Sequence, residues 1–310
     1  MRHRMMYVLF LGFLFITIPY LITVSMTVKK NKIVDFQTYN SKYKIISQNK
    51  ETDLETYLLR ILPGQISMDY KEETLKAQVV ILRTDIIRRM GNQKKIQAEK
   101  LPYEEKDNLE LKEALGNRKY QAMDQLRKRV VSNTLGNVIT YKGTLIEPYY
   151  HGVSVGMTLG AEEWMGKKIP YLRSKDSLKD VEAPDYITVE LFTYGKIGEI
   201  LKEKKGIEMK MEDLKKRILI KKTTGNGYVK QVQAGTLTIS GERWAEWFHL
   251  ASNNFYLEPY DGKLRIICLG KGNGLGMSQY GANEMAKRGE KYQRILKYYY
   301  SGIKIKSLYE

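Results

Sequence analysis

Cysteine is nearly absent from this 310-residue chain: Cys268 stands alone, so no intrachain disulfide can form. Histidine is almost as scarce. His3, His151 and His249 have no ligand spacing to Cys268, so no Cys/His zinc cluster and no metal is expected. His249 follows Trp247 and Phe248 and reads as an ordinary packed or surface histidine. Acidic residues are few, 35 against 52 basic ones, giving a formal net charge of +17. That excess suits an anionic partner such as a lipid headgroup or a wall polymer, and it serves solubility equally well. The basic residues are dispersed along the chain and form no nucleic-acid module, so nucleic acid is not an expected partner. No internal repeat is visible. What is present is a hydrophobic content of 43%, enough for a real core and too high for global disorder. The length allows one large domain or two moderate ones.

Tyr7 to Met26 is an uncharged apolar stretch of membrane-spanning length. Arg2 and Arg4 precede it, and Lys29, Lys30 and Lys32 follow, so the positive-inside count is nearly balanced. A short basic N-terminus before a first apolar segment is a signal-anchor arrangement, and no Ala-x-Ala-like cleavage site follows. The reading is a single-pass, uncleaved anchor. Residues 1–6 are then cytoplasmic, 7–26 span the membrane, 27–50 form a juxtamembrane connector, and 51–310 form one extracytoplasmic domain.

Leu54 to Leu62 is helix-compatible and is expected to end at Pro63-Gly64, which places Gln65 in the following turn. Asp69 with Glu72 resembles a capping box for a helix carrying Leu75, Val79, Leu82 and Ile86, stopped by Gly91. Leu109 to Ser132 is helical in pattern with a break near Gly116-Asn117. Val138 to Tyr150 reads as a hairpin turning at Lys142-Gly143, and His151 to Thr158 as an irregular loop. Strands are expected at Ile187 to Tyr194, within Tyr228 to Ile239, and at Leu264 to Leu269. Short helices are expected at Glu199 to Lys204, Met211 to Lys216 and Gly241 to Leu250. Ser278 caps a helix to Arg288, and Tyr292 to Tyr300 makes the last one. Helices and strands intersperse without regular alternation, which predicts an α+β fold.

Two motifs stand out. One is Leu62-Pro63-Gly64-Gln65-Ile66-Ser67-Met68, with Leu75-Lys76-Ala77-Gln78 starting ten residues after Gln65 and Arg83-Thr84 eighteen after it. The other is Gly270-Lys271-Gly272-Asn273-Gly274-Leu275-Gly276-Met277-Ser278-Gln279-Tyr280-Gly281-Ala282. The alternating glycines are not a Walker loop, since no Gly-Lys-Ser/Thr closes the run, and no cofactor is expected. The pair of motifs resembles the stage II sporulation protein D and amidase-enhancer family. Tyr150-His151 and Ser154 fall within another of its motifs, and Pro170-Tyr171-Leu172-Arg173-Ser174 in a further one. The likeness spans Leu54 to Ile303.

The resemblance implies a peptidoglycan-acting protein with a glycan-binding cleft, working beside a wall amidase and a membrane partner. It implies substrate contacts at Lys76, Arg83, His151, Ser154, Asn273, Ser278, Gln279 and Tyr280. A structural histidine is an equal reading for His151. The family's activity is lytic transglycosis, in which one glutamate protonates the leaving oxygen and then serves as base for the sugar's own 6-hydroxyl. In this chain that glutamate is Gln65. The family histidine is Asn273, and its tryptophan is Lys271. A neutral amide cannot exchange a proton near neutral pH. The leading expectation is therefore glycan binding with weakened or lost cleavage. The alternative is an active enzyme with a displaced carboxylate: Asp69, which as a helix cap already has a structural task, or Glu55 or Asp53 upstream.

Overall fold

The computed structural model describes residues 33–47 and 50–309, with isolated positions between 6 and 18. The stretch expected to span a membrane, residues 7–26, falls outside the described residues apart from those positions. No helix among the described residues is long and apolar enough to cross a membrane.

In chain order the elements are β1 (Lys44–Ser47), β2 (Lys50–Asp53), α1 (Leu54–Gln65), α2 (Glu72–Met90), β3 (Lys95–Gln97), α3 (Asn108–Leu115) and α4 (Asn117–Ser132). There follow β4 (Asn137–Tyr141), β5 (Thr144–Leu145), β6 (Tyr150–His151), α5 (Ala161–Met165), β7 (Ile187–Thr193), α6 (Tyr194–Lys205) and α7 (Met211–Arg217). The chain ends with β8 (Ile218–Thr223), β9 (Val229–Ala234), β10 (Leu237–Ser240), α8 (Gly241–Trp247), β11 (Phe255–Tyr260), β12 (Lys263–Leu269), β13 (Met277–Ser278), α9 (Gln279–Lys287), α10 (Tyr292–Tyr299) and β14 (Lys304–Ser307). The strands form small sheets, in the orders β2-β1-β3, β14-β4-β5, β10-β9-β8 and β11-β12-β7, and β13 pairs with β6 in parallel. The mixture is the expected α+β class.

Helix α2 organises the first part of the fold. One side packs with α1, α4 and β1 through Leu75, Val79, Leu82 and Ile86. Its other side, through Ala77, Val80 and Ile81, packs with Ile139 of β4, Ala282 of α9 and Ile295 and Leu296 of α10. A helix buried on two sides shows little amphipathic contrast, so its periodic stripe in the sequence marks only half of its contacts. Residues 187–269 build a separate cluster around Trp244, which stacks on Phe248 at 4.3 Å between ring centroids.

Three expectations are corrected. Of the segment read as a connector, residues 27–50, the described part from Ile33 supplies Phe36, Tyr43 and Ile45 to the first core and pairs β1 with β2 and β3, so that part belongs to the domain. Helix α1 does not stop at Pro63-Gly64; it runs through both to Gln65. Pro63 lacks the N–H that would satisfy the Leu59 carbonyl, and the Arg127 guanidinium of α4 donates to that oxygen instead at 3.3 Å. Asp69 is not the cap of α2. The helix begins at Glu72 after Lys71, whose backbone N–H donates to Asn283 Oδ1 at 2.8 Å. A tertiary partner displaces the local capping box.

Other local readings hold closely. Lys142 (φ 48°) and Gly143 (φ 88°) turn β4 into β5 with two left-handed residues, as a tight hairpin requires. Ser278 caps α9 with its hydroxyl as expected, and Thr193 and Ser240, not singled out in the sequence, cap α6 and α8 in the same way. In the glycine run, Gly276 adopts φ 71°, and a Cβ there would run into the Tyr149 carbonyl. Gly276→Ala is expected to destabilise the fold by about 1–3 kcal/mol, read as a shift in the denaturant midpoint at unchanged slope.

Candidate functional site

Gln65 is the last residue of α1, half-buried at the floor of an open concavity of about 470 Å³. Gly64, Leu101, Pro102, Tyr103, Glu104 and Lys106 complete the lining. The side chain is held from one side. The Tyr150 hydroxyl, on β6, donates to Gln65 Oε1 at 2.6 Å. Burial pushes the Tyr150 phenol well above its ordinary range, so it remains a donor at any physiological pH. The backbone is held as well. Gln279 Nε2 donates to the Gln65 carbonyl at 2.7 Å and to Gln78 Oε1 at 3.2 Å. The first residue of α9 thereby ties the end of α1 to the middle of α2. The Tyr150 hydroxyl fills one of the two acceptor positions of Gln65 Oε1, in a residue that lines the concavity.

The other residues singled out in the sequence take different places. Ser278 is buried and accepts from the Gly281 N–H at 3.2 Å, which is the work of a cap. The Tyr280 backbone N–H donates to the Gly152 carbonyl at 3.0 Å, and its hydroxyl reaches the Glu182 carbonyl at 3.4 Å. Asn273 Oδ1 accepts from the Leu275 N–H at 3.0 Å, closing a turn of the glycine run, and it does not line the Gln65 concavity. Lys76 lies against Glu72 and Glu73 at 3.0 and 2.9 Å. Arg83 is wholly buried. It forms a two-pronged pair with Glu55 at 2.9 and 2.6 Å and donates to the Asn137 carbonyl at 3.1 Å. Arg83 cannot touch a ligand, and the expectation of a substrate contact there is corrected. Its spacing from Gln65 is fixed by packing between α1 and α2.

His151 is buried, with Nδ1–H donating to the Leu275 carbonyl at 2.9 Å. Its Nε2 meets no partner, nor do the buried Ser154 Oγ and Asp180 Oδ1, although the Ser154 N–H donates to Asp180 Oδ2 at 2.7 Å. Burial holds the His151 pKa below its ordinary value of 6.5, opposed by the Leu275 carbonyl and Asp180. A histidine depressed in the folded state takes up protons more readily when unfolded. Its stabilising effect is thus complete above about pH 6.5 and is lost as pH falls below that value. The expected slope is up to about 1.4 kcal/mol per pH unit in denaturant titrations. His151→Gln should flatten it; an equal slope in the variant would assign the acid sensitivity elsewhere.

Among carboxylates near Gln65, Glu104 alone of the lining residues carries one. It is largely exposed and 3.3 Å from Lys106 Nζ. Asp69 is exposed and does not line the concavity. Glu55 is committed to Arg83. Asp53, the third of the upstream candidates, caps α1 and pairs with Lys44 at 3.0 Å. Asp85 accepts from Tyr103, Arg88 and Arg89 at 2.8, 2.9 and 2.6 Å, which leaves no free proton-transfer role. Among the described residues no three His, Cys, Asp or Glu side chains converge as metal ligands. Sequence reasoning missed the 101–106 segment altogether. It carries no motif, and its approach to Gln65 depends on the tertiary bond from the Lys106 N–H to the Arg60 carbonyl at 3.1 Å.

The fold and this concavity, set between the end of α1 and the 101–106 segment, define an α+β protein with a polar depression at a helix end. A family model described as SpoIID, stage II sporulation protein, matches residues 39–141. The chain is similar to stage II sporulation protein D of Bacillus subtilis (strain 168), with 30% identity over 275 residues, 85% of this chain and 77% of that protein. Its similarity to the same protein of Bacillus amyloliquefaciens is 30% over 260 residues, 81% of this chain and 74% of that one. An amidase enhancer of Bacillus subtilis (strain 168) is 24% identical over 295 residues, covering 80% of this chain and 40% of that protein. The chain belongs to the stage II sporulation protein D family.

Proposed function

We propose that this protein is a cell-wall protein of sporulation that binds peptidoglycan glycan strands at the Gln65 concavity without cleaving them at ordinary enzymatic rates. The observation that carries this reading is the amide at the end of α1, with Oε1 engaged by Tyr150 and the exposed Glu104 as the carboxylate among the lining residues. Residues 7–26 anchor it as a single-pass membrane protein, with the C-terminal domain outside the cytoplasm. The amidase-enhancer likeness supports a wall amidase as partner, with the bound strand presented to it. The test is incubation of the full-length protein, purified in detergent, with purified glycan strands. Co-sedimentation without release of anhydro-muramyl ends is expected, and release at ordinary enzyme rates would overturn the reading.

One observation favours a second reading, an active lytic transglycosylase with a displaced acid. Glu104 lines the same concavity as Gln65. It is largely exposed and lies 3.3 Å from Lys106 Nζ. If strands are cleaved, Glu104→Gln must abolish the cleavage; persistence would remove this reading.

A further inference from the structure

The charge of the concavity departs from what neutral sugar recognition needs. The Lys106 stem lies across Gly64, with Cε 3.3 Å from where a Cβ on Gly64 would sit, so the cation stands beside the residue preceding Gln65. Lys106 Nζ offers only donors, and the Gln65 amide, with one acceptor position of Oε1 already filled by Tyr150, offers two N–H donors. Both residues line one concavity, and the Glu104 carboxylate, whose residue lines it too, is the ionic partner of Lys106. That contact is long at 3.3 Å, and the Glu104 side chain is 87% exposed. A carboxylate of the chain itself therefore rests loosely where a ligand carboxylate would bind. Exposed pairs of this kind contribute little, so displacement of Glu104 is inexpensive.

We propose that the Gln65 concavity is a carboxylate subsite, in which Lys106 and the Gln65 amide together hold an acid group of a wall strand and Glu104 is the weak internal occupant that the ligand replaces. The inference rests on glycan binding at this site and adds the chemical class it selects. Lys106 supplies the charge-assisted bond and Gln65 a neutral one, a pairing that a carboxylate satisfies with its two oxygens. Two carboxylates of the wall fit: the lactyl group of a strand stripped of its peptides, and the free end of a stem peptide on an intact strand.

The test compares binding of the full-length protein to stripped strands, stripped strands with lactyl carboxyls converted to amides, intact strands, and a neutral chitin oligosaccharide. Amidation should weaken binding of stripped strands about tenfold if the lactyl group is the ligand. If the stem peptide is the source, intact strands bind best. Either way Lys106→Ala should weaken binding of the acidic form at least several-fold more than binding of chitin, and Lys106→Arg should retain most of the preference for the acidic form. Glu104→Gln should tighten binding of the acidic form. Equal loss of acidic and neutral ligands in Lys106→Ala, or weaker binding in Glu104→Gln, overturns the subsite. Failure of every glycan to bind overturns the function it rests on instead.

Discussion

Gln65→Glu is expected to yield measurable release of anhydro-muramyl ends from stripped strands, on the order of 10² to 10⁴ above the parent protein, the range typical of restoring a general acid. The backbone for it is in place. α1 ends where the carboxyl is needed, Gln279 fixes the carbonyl of the same residue, and Tyr150 stands 2.6 Å from the side-chain oxygen. Those same neighbours set the pH dependence. A phenol donating to the carboxylate and an ammonium nearby both favour its ionised form and lower its pKa. The restored acid is protonated only at lower pH, so activity should rise as pH falls from neutrality. Adding Lys106→Ala should move that limb upward in pH, because one of the two groups holding the proton off is gone. The reading is a pH–rate profile of end release for the single and double variants. Asn273 closes a turn and lies outside the concavity lining, so its reversion to histidine is not required. An inert Gln65→Glu variant that still binds strands would show that the loss of proton transfer lies deeper than one side chain.

Much of this architecture is readable from local chemistry, and the failures share a cause. Ser278, Gly91 and the Lys142-Gly143 turn are decided within a few residues by capping and backbone sterics, and each was legible in the sequence. Pro63-Gly64 and Asp69 carry equally strong local signals, yet they are overruled by Arg127 and Asn283, which arrive from elsewhere in the fold. The candidate site divides the same way. Gln65 is conspicuous because its spacing to Lys76 and Arg83 is intact. The residues that give the concavity its charge, Glu104 and Lys106, sit about forty positions away in a segment without pattern. The motif positions themselves are largely scaffold. Ser278 caps, Asn273 turns, and Lys76 pairs within its own helix.

Arg83→Ala is expected to cost about 3–5 kcal/mol of stability, because removing one partner strands a charge in the interior. Both side chains of the Arg83–Glu55 pair are fully buried. Glu55 is also the meeting point of distant parts: the Gly136 N–H donates to Oε1 at 3.3 Å and the Tyr309 hydroxyl at 3.1 Å. One carboxylate thus joins α1, α2, the turn before β4 and the C-terminal segment. Glu55→Ala should be comparably damaging, since Arg83 then keeps only the Asn137 carbonyl. Arg83→Lys preserves the charge but loses the two-pronged geometry and should fall between the parent and Arg83→Ala. The double change Glu55→Leu with Arg83→Met removes both charges and retains volume, and it should recover much of the loss, as apolar replacement of buried pairs does elsewhere. Denaturant unfolding of Glu55→Leu, Arg83→Met and their double variant against the parent gives the coupling energy directly. A structural pair requires that strand binding by the folded double variant equal that of the parent. If binding disappears while stability stays within about 1 kcal/mol of the parent, Arg83 acts on the ligand after all, and the scaffold role argued from its burial is wrong.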